Sequence, residues 1–388
     1  MVRTLDIRLV AGTRNLGIAA RRSRRTRAFA LLLGALALAV AAACSDAQPA
    51  AVGTSTPTPP PAAAEGGNTL REVRDRGYVL VGVNDALPGF GFIRPDGTFA
   101  GFDVEFGHAL AAAIFGDRER VQFVGVSAAS RFEALRVHEI DVLIRNTTWT
   151  VSRDMQDMTF AVPNFYDGQG VMVRAEDGID SLEDLDGAVV CALSGTTTQL
   201  NQEDTFAGTG VTYQPLVFDR TETLQEAFVA GRCDAWTADR SQLAARRAAY
   251  PKEAGGPEAL VILSETLSKE PLAPATRSDD ARWSDLVNWV VLGMIAAEEL
   301  GVTSENVAAM AEDPPNQEVA RLLGSTQEGT AFQAHPGLSP DFMRNVIAQV
   351  GNYGEVYDRF ITPLGIERAG SLNALWTEGG LMYAPPFR

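Results

Sequence analysis

Ile140-Asp-Val-Leu-Ile-Arg-Asn-Thr-Thr-Trp-Thr-Val-Ser-Arg153 is the stretch from which the fold can be read. A short apolar run, Val142 to Ile144, gives way to polar residues and then to Thr150, a residue type that caps helices. The pattern predicts a buried strand whose end opens into a helix, which is where α/β sheets place ligands. Arg153 stands three residues after Thr150, so its guanidinium falls on the first helical turn beside unpaired N–H groups and the positive end of the dipole. A carboxylate binds well in such a place. The plainer alternative is a capped surface helix with Arg153 in an exposed ion pair.

Upstream, Tyr78 to Val83 reads as a strand ending at Asn84, followed by an irregular loop, Ala86-Leu-Pro-Gly-Phe-Gly-Phe92, that places Leu87 and Phe90 as an apolar lid over the strand end. Asp103 is the expected N-cap of the next helix, Val121 to Val126 returns as a strand, and Ser130-Arg-Phe-Glu133 has the spacing of a capping box. Downstream, strand Ala188 to Ala192 leads into Leu193-Ser-Gly-Thr-Thr-Thr198, where a helix starting in the loop presents the N–H groups of Gly195, Thr196 and Thr197 to an anion. A weak repeat links the two regions at an offset of 93 residues. Glu133-Ala-Leu-Arg-Val-His-Glu-Ile-Asp-Val142 aligns without a gap on Glu226-Ala-Phe-Val-Ala-Gly-Arg-Cys-Asp-Ala235, which sets Asn146 against Asp239. Two such α/β lobes, each offering a strand end to the other, enclose a cleft. Asp239-Arg-Ser-Gln242 also fits an ordinary helix cap, and chance similarity of two helix–strand units is the competing account of the repeat.

The first 43 residues hold eight arginines and one acid, leaving 25 basic against 48 acidic side chains, a net −23, on the remainder. So acidic a body argues against nucleic-acid or anionic-membrane binding. Arg21 to Arg27 followed by the apolar or small run Ala28 to Ala43 has the two leading regions of a secretory signal peptide, and is too short to span a bilayer. Ala41-Ala42-Ala43-Cys44 resembles a bacterial lipobox, with Ala41 where leucine is usual, so Cys44 is the expected lipidation site. Ser45 to Asn68, rich in Pro, Ala, Thr and Gly, reads as a tethering linker. In an exported chain the remaining pair, Cys191 and Cys233, reads as a disulfide.

His108, His138 and His335 are scattered without ligand spacing, and no nucleophile elbow, P-loop, dinucleotide fingerprint or Cys-x-x-Cys motif is present. Neither a cofactor nor a metal is expected. What the chain does offer is a cation (Arg153), an anion (Asp239), hydroxyls (Thr148, Thr197) and helix-start N–H groups. A free amino acid presents the complementary set.

Gly101-Phe-Asp103, Ile140 to Asp154, Leu193 to Thr198, Gly231-Arg-Cys-Asp234, Thr237-Ala-Asp239, Gly351-Asn-Tyr-Gly-Glu-Val356 and the tail Asn373 to Pro386 together carry a resemblance. From Leu70 to Arg388 the chain resembles the type II periplasmic solute-binding proteins of polar amino-acid ABC transporters (family 3), most of all the general L-amino-acid-binding subfamily. The resemblance implies a two-lobed α/β periplasmic-binding-protein fold of the Venus-flytrap kind, with a helical C-terminal extension. It also implies a protein that is not an enzyme, binding free L-amino acids with broad specificity and delivering them to membrane permease subunits. The implied roles are Arg153 clamping the α-carboxylate with Thr197 and Thr148 assisting, Asp239 taking the α-ammonium, and Asn84, Leu87, Phe90 and Asn146 lining the side-chain region. Asn84 stands where several relatives carry an aspartate for cationic side chains. The expected layout is a signal peptide over 1–43, an anchor and linker over 44–68, lobe 1 over 69–167 and again over 269–300, lobe 2 over 168–268, and the extension over 301–388 packed on lobe 1. The expected setting is periplasmic or on the outer face of the cytoplasmic membrane, lipid-anchored and monomeric. The same fold also hosts cyclohexadienyl (prephenate/arogenate) dehydratases and ligand-sensing modules, which are the two competing readings.

Overall fold

The computed structural model describes residues 67–325 and 338–387. The signal peptide, Cys44, the linker up to residue 66 and His335 lie outside them. The chain enters through helix α1 (Thr69–Arg76), closed by Gly77 in the left-handed conformation. Strand β1 (Val79–Val83) pairs in parallel with β5 (Val121–Gly125) on one side and β6 (Val142–Leu143) on the other. Between β1 and β5 lie a small antiparallel sheet, β2 (Ala86–Leu87), β3 (Gly91–Ile93) and β4 (Phe99–Ala100), and helix α2 (Phe102–Phe115). Helices α3 (Arg131–Arg136) and α4 (Val151–Asp154) flank β6, and β7 (Met158–Phe160) forms the far edge of this first sheet.

Strand β8 (Phe165–Arg174) carries the chain into the second sheet, where β9 (Val189–Leu193) pairs in parallel with β10 (Gln214–Phe218) and with β11 (Ala235–Asp239). Helices α5 (Thr197–Thr209), α6 (Thr221–Val229) and α7 (Arg240–Ala248) connect them, and β12 (Leu260–Ile262) pairs with β8 at the edge. The chain returns through β13 (Lys269–Leu272) and β14 (Ala275–Arg277), the latter inserted antiparallel between β6 and β7. The first half of β8 pairs with β13, so two antiparallel strands run side by side where the chain passes between lobes. The core strand orders, β5-β1-β6 and β10-β9-β11, are the same.

Both expected caps at the front of lobe 1 are absent. Gly101, not Asp103, occupies the N-cap position of α2, where φ of +133° suits glycine and a Cβ would lie 2.2 Å from the Phe90 carbonyl oxygen. Asp103 sits inside the first turn, buried, and accepts instead from the Asn146 backbone N–H at 2.9 Å. The Ser130 side chain makes no bond to its own helix; its hydroxyl bonds Ser127, and Glu133 pairs with Arg136.

A single large core joins α2, helix α8 (Ala281–Glu299) and the C-terminal helices α9 (Val307–Glu312), α10 (Gln317–Leu322), α11 (Phe342–Gln349) and α12 (Tyr353–Phe360). Phe102, Tyr353 and Tyr357 pack edge-on at 5.8 and 6.1 Å from Phe102, and Arg368 lies over both tyrosine rings while its guanidinium holds Glu298. The tail also reaches the crossing strands, since Asn373 exchanges two hydrogen bonds with the Tyr166 backbone at 2.7 and 3.0 Å. Lobe 2 relies on smaller clusters around Trp236 and Phe206, and on a Cys191–Cys233 disulfide with Cα atoms 5.8 Å apart.

Candidate functional site

Asp239 ends β11, and Asn146 follows β6, the matching strand of the other lobe. Their side chains meet across the lobes: Asn146 Nδ2 donates to Asp239 Oδ2 at 3.3 Å, and Asn84 Nδ2 donates to Asn146 Oδ1 at 3.3 Å. The two positions that the 93-residue repeat aligns are therefore in direct contact. Asp239 makes no side-chain bond to its own helix, so capping does not account for it. Burial holds its carboxyl well above the usual carboxylate range, and the nearby negative charges of Asp167 and Glu270 raise it further. The Asn146 bond and the Arg131 charge act the other way.

Glu270 on β13 is 1 % exposed and gathers hydroxyls from both lobes. Thr148 Oγ1 donates to it at 2.5 Å, Thr197 Oγ1 at 2.7 Å and Asn201 Nδ2 at 2.9 Å, with Ser268 Oγ as a fourth donor. The two threonines expected beside a ligand carboxylate are thus brought together, 3.3 Å apart, on a protein carboxylate of the same charge. Thr196 caps α5 by accepting from the Gln199 N–H, and the Gly195 N–H donates to the Gln199 side chain. Gly195 is left-handed, and a Cβ on it would lie 3.3 Å from Ala129 Cα of the opposite lobe.

Arg153 stands where its cap predicts, with Thr150 Oγ1 accepting from the Arg153 N–H. Its Nη1 donates to the Thr148 carbonyl at 2.8 Å and its guanidinium lies 5.2 Å from the Phe132 ring centre. Burial lowers its pKa, while Glu270 first and Asp239 second support its charge. Two further guanidiniums escaped sequence reasoning. Arg131, fully buried over the same Phe132 ring at 4.9 Å, has an Nε without a partner. Arg145, equally buried, donates from Nε to the Val126 carbonyl at 2.7 Å. Burial depresses both, Arg145 to about 10 and Arg131 well below its ordinary value, where the charges of Arg153 and Arg145 add to the effect.

A pocket of about 20 Å³, room for about one water, is walled by Asn84, Asn146, Thr148, Thr196, Thr197 and Asp239, with Arg131 and Arg145. A larger cavity of about 310 Å³ adjoins it, sharing Asn84, Arg145, Leu193 and Thr221. Arg153 and Gly195 line neither of these two spaces. Leu87 and Phe90 are not brought to them either. Both are essentially unexposed in the lobe 1 core, Phe90 packing edge-on against Phe102 and Phe165, because the small β2–β3–β4 sheet turns them inward. The cleft wall expected to be apolar is polar and charged.

The family model of the bacterial extracellular solute-binding proteins, family 3, matches residues 79–306. The chain belongs to that family. It is 44 % identical over 331 residues to the general L-amino acid-binding periplasmic protein AapJ of Rhizobium johnstonii, the match covering 84 % of this chain and 95 % of that protein. The glutamate/glutamine/aspartate/asparagine-binding protein BztA of Rhodobacter capsulatus is 44 % identical with the same coverage. Among solved structures, an ABC transporter periplasmic binding protein of Brucella ovis with glutathione bound superposes with a TM-score of 0.79 at 43 % identity, covering 82 % of this chain and 99 % of that one. The two-lobed α/β fold is that of the family, and a C-terminal helical extension follows the matched residues.

Proposed function

We propose that this chain is the extracytoplasmic substrate-binding component of an ABC transporter, taking free L-amino acids between its two lobes and handing them to membrane permease subunits without altering them. The observation that carries the reading is the contact between lobes at Asn146 and Asp239, a buried carboxylate across a small polar pocket from the guanidiniums of Arg131 and Arg145. Asp239 takes the α-ammonium, which supplies the counter-charge that the carboxylate lacks. Arg153 takes the α-carboxylate, with Thr148 and Thr197 turning from Glu270 to share it. Asn84, Asn146 and Thr196 border the ligand, and the Gly195 turn closes against the opposite lobe. Recognition through the two ends of the zwitterion supplies affinity common to all amino acids, in keeping with the AapJ name.

The pocket is too small for an amino acid as the lobes stand, so entry requires them to part. Strands β8 and β13 are the hinge in this reading, which supports lobe boundaries near 167 and 269 with the extension from 301 packed on lobe 1. The closed form is the surface a permease recognises. Export, periplasmic residence and an anchor at Cys44 complete the proposal, consistent with the periplasmic names of the relatives.

Titrating the twenty L-amino acids into protein stripped of co-purified ligand tests it. Micromolar or tighter binding, about −8 kcal/mol or better, is expected for several of them. Flat titrations throughout would overturn the reading.

A further inference from the structure

The cavity of about 310 Å³ lies beside the pocket assigned to the zwitterion, and Arg145 belongs to the walls of both. We propose that Arg145 is a specificity-determining residue that selects ligands carrying a second, distal carboxylate. The inference rests on the zwitterion reading, because a ligand whose α-ammonium is held at Asp239 in the small pocket extends its side chain past Arg145 into the larger space.

Arg145 is 6 % exposed, yet among the described residues it makes no ion pair. Removing a guanidinium from water without a counter-ion is costly, and buried charges are ordinarily paired. Its Nε is committed to the Val126 carbonyl, which fixes the plane of the group and leaves the terminal nitrogens for a two-point contact with a carboxylate. The protein's own carboxylates do not fill that role. Asp103 is engaged by the Asn146 N–H and Asp239 by the Asn146 side chain, while Asp85 and Glu222 act on Arg145 only through space from the cavity wall. Asp219 and Arg220 complete the charged lining on the lobe 2 side. Asp85, Asp219 and Arg220 are exposed, so a ligand carboxylate placed near them stays close to water and is weakly read, whereas at Arg145 it is desolvated and strongly read.

The test compares L-glutamate, its neutral isostere L-glutamine and L-alanine by isothermal titration on the full chain, with the wild type, Arg145→Met, Arg145→Lys and Glu222→Gln. The wild type is expected to prefer glutamate over glutamine by tenfold or more. Arg145→Met should reduce that ratio to threefold or less, and Arg145→Lys should restore part of it. Glu222→Gln, which removes a competing carboxylate, should strengthen glutamate severalfold and leave glutamine unchanged. An unaltered glutamate preference in a folded Arg145→Met protein overturns the proposal, as does an equal loss for all three ligands. If Arg145→Met does not fold, no change in Glu222→Gln overturns it. Wild-type binding of alanine and glutamine with no glutamate preference overturns this inference alone. Binding of no amino acid overturns the zwitterion reading as well.

Discussion

Lobes 1 and 2 share a strand order, a helix leading into the third strand, and a polar residue at the end of that strand, but they put opposite charges there. Lobe 1 follows β6 with Arg145 and Asn146 and adds Arg131 and Arg153 nearby; lobe 2 ends β11 in Asp239. The framework fixes where a side chain meets the other lobe, and the residue identity fixes its charge. A zwitterion needs two such frames facing each other with different signs. The lobes differ also in support. Lobe 1 leans on α8 and the C-terminal helices in one continuous core, while lobe 2 has small clusters and a disulfide.

The largest expected effect tests that difference in support. Replacing Cys191 and Cys233 with alanine removes a link spanning 42 residues, about 4 kcal/mol in the chain-entropy model, and should unfold lobe 2 before lobe 1. Calorimetry should then resolve two transitions where the wild type shows one. A single transition that keeps its midpoint contradicts the account.

Next comes the asymmetry of charge. Asp239→Ala and Arg153→Ala should each cost about 3 kcal/mol, a hundredfold or more in amino-acid affinity, with melting temperatures little lowered. Because Asn146 and Asp239 touch, exchanging them sharpens the comparison: Asn146→Asp with Asp239→Asn moves the carboxylate to the equivalent site of lobe 1, and should recover about tenfold over Asp239→Asn alone, about 1.4 kcal/mol. Asn146 has φ of +25°, which aspartate tolerates. No recovery in the double variant would mean that the carboxylate must be presented from lobe 2.

A smaller effect follows from Asp103, held at about 7, and Asp167, held at about 6, chiefly by burial. The folded chain binds protons there more tightly than the unfolded chain, so the stability they contribute is complete below about pH 3.8 and is lost as pH rises through 6 to 7. Asp103→Asn should flatten the fall in melting temperature between about pH 4 and 7, by a few degrees for each ~1 kcal/mol. The smallest expected change is at the crossing strands. Asn373→Ala removes two bonds to Tyr166 and should cost about 1 kcal/mol or less, read as a lower midpoint of the single unfolding transition.

What was legible in the sequence was local. Thr150 capping the turn that carries Arg153 depends on residues three apart, and the strand–helix alternation of both lobes follows from short apolar runs. The repeat carried one long-range fact, the facing of Asn146 and Asp239. Glu270 was invisible because it returns on β13, 122 residues after the Thr148 that bonds it. Asp103 and Ser130 have the right types for caps, but each found a partner elsewhere, in the Asn146 N–H and in Ser127, that no spacing rule announces. Leu87 and Phe90 follow a strand end, as ligand-lining residues do, yet the small sheet after it turns them into the core. Arg131 sits in a stretch that looked like an ordinary helix start, and only the lobe packing makes it a buried charge.

The most direct test of the gripped zwitterion is a crystal structure with L-glutamate bound. The account predicts its ammonium within hydrogen-bonding distance of Asp239 and its α-carboxylate on Arg153, with Thr148 and Thr197 released from Glu270. An amino acid bound outside the space between the lobes, or with its ammonium facing the guanidiniums, would contradict it.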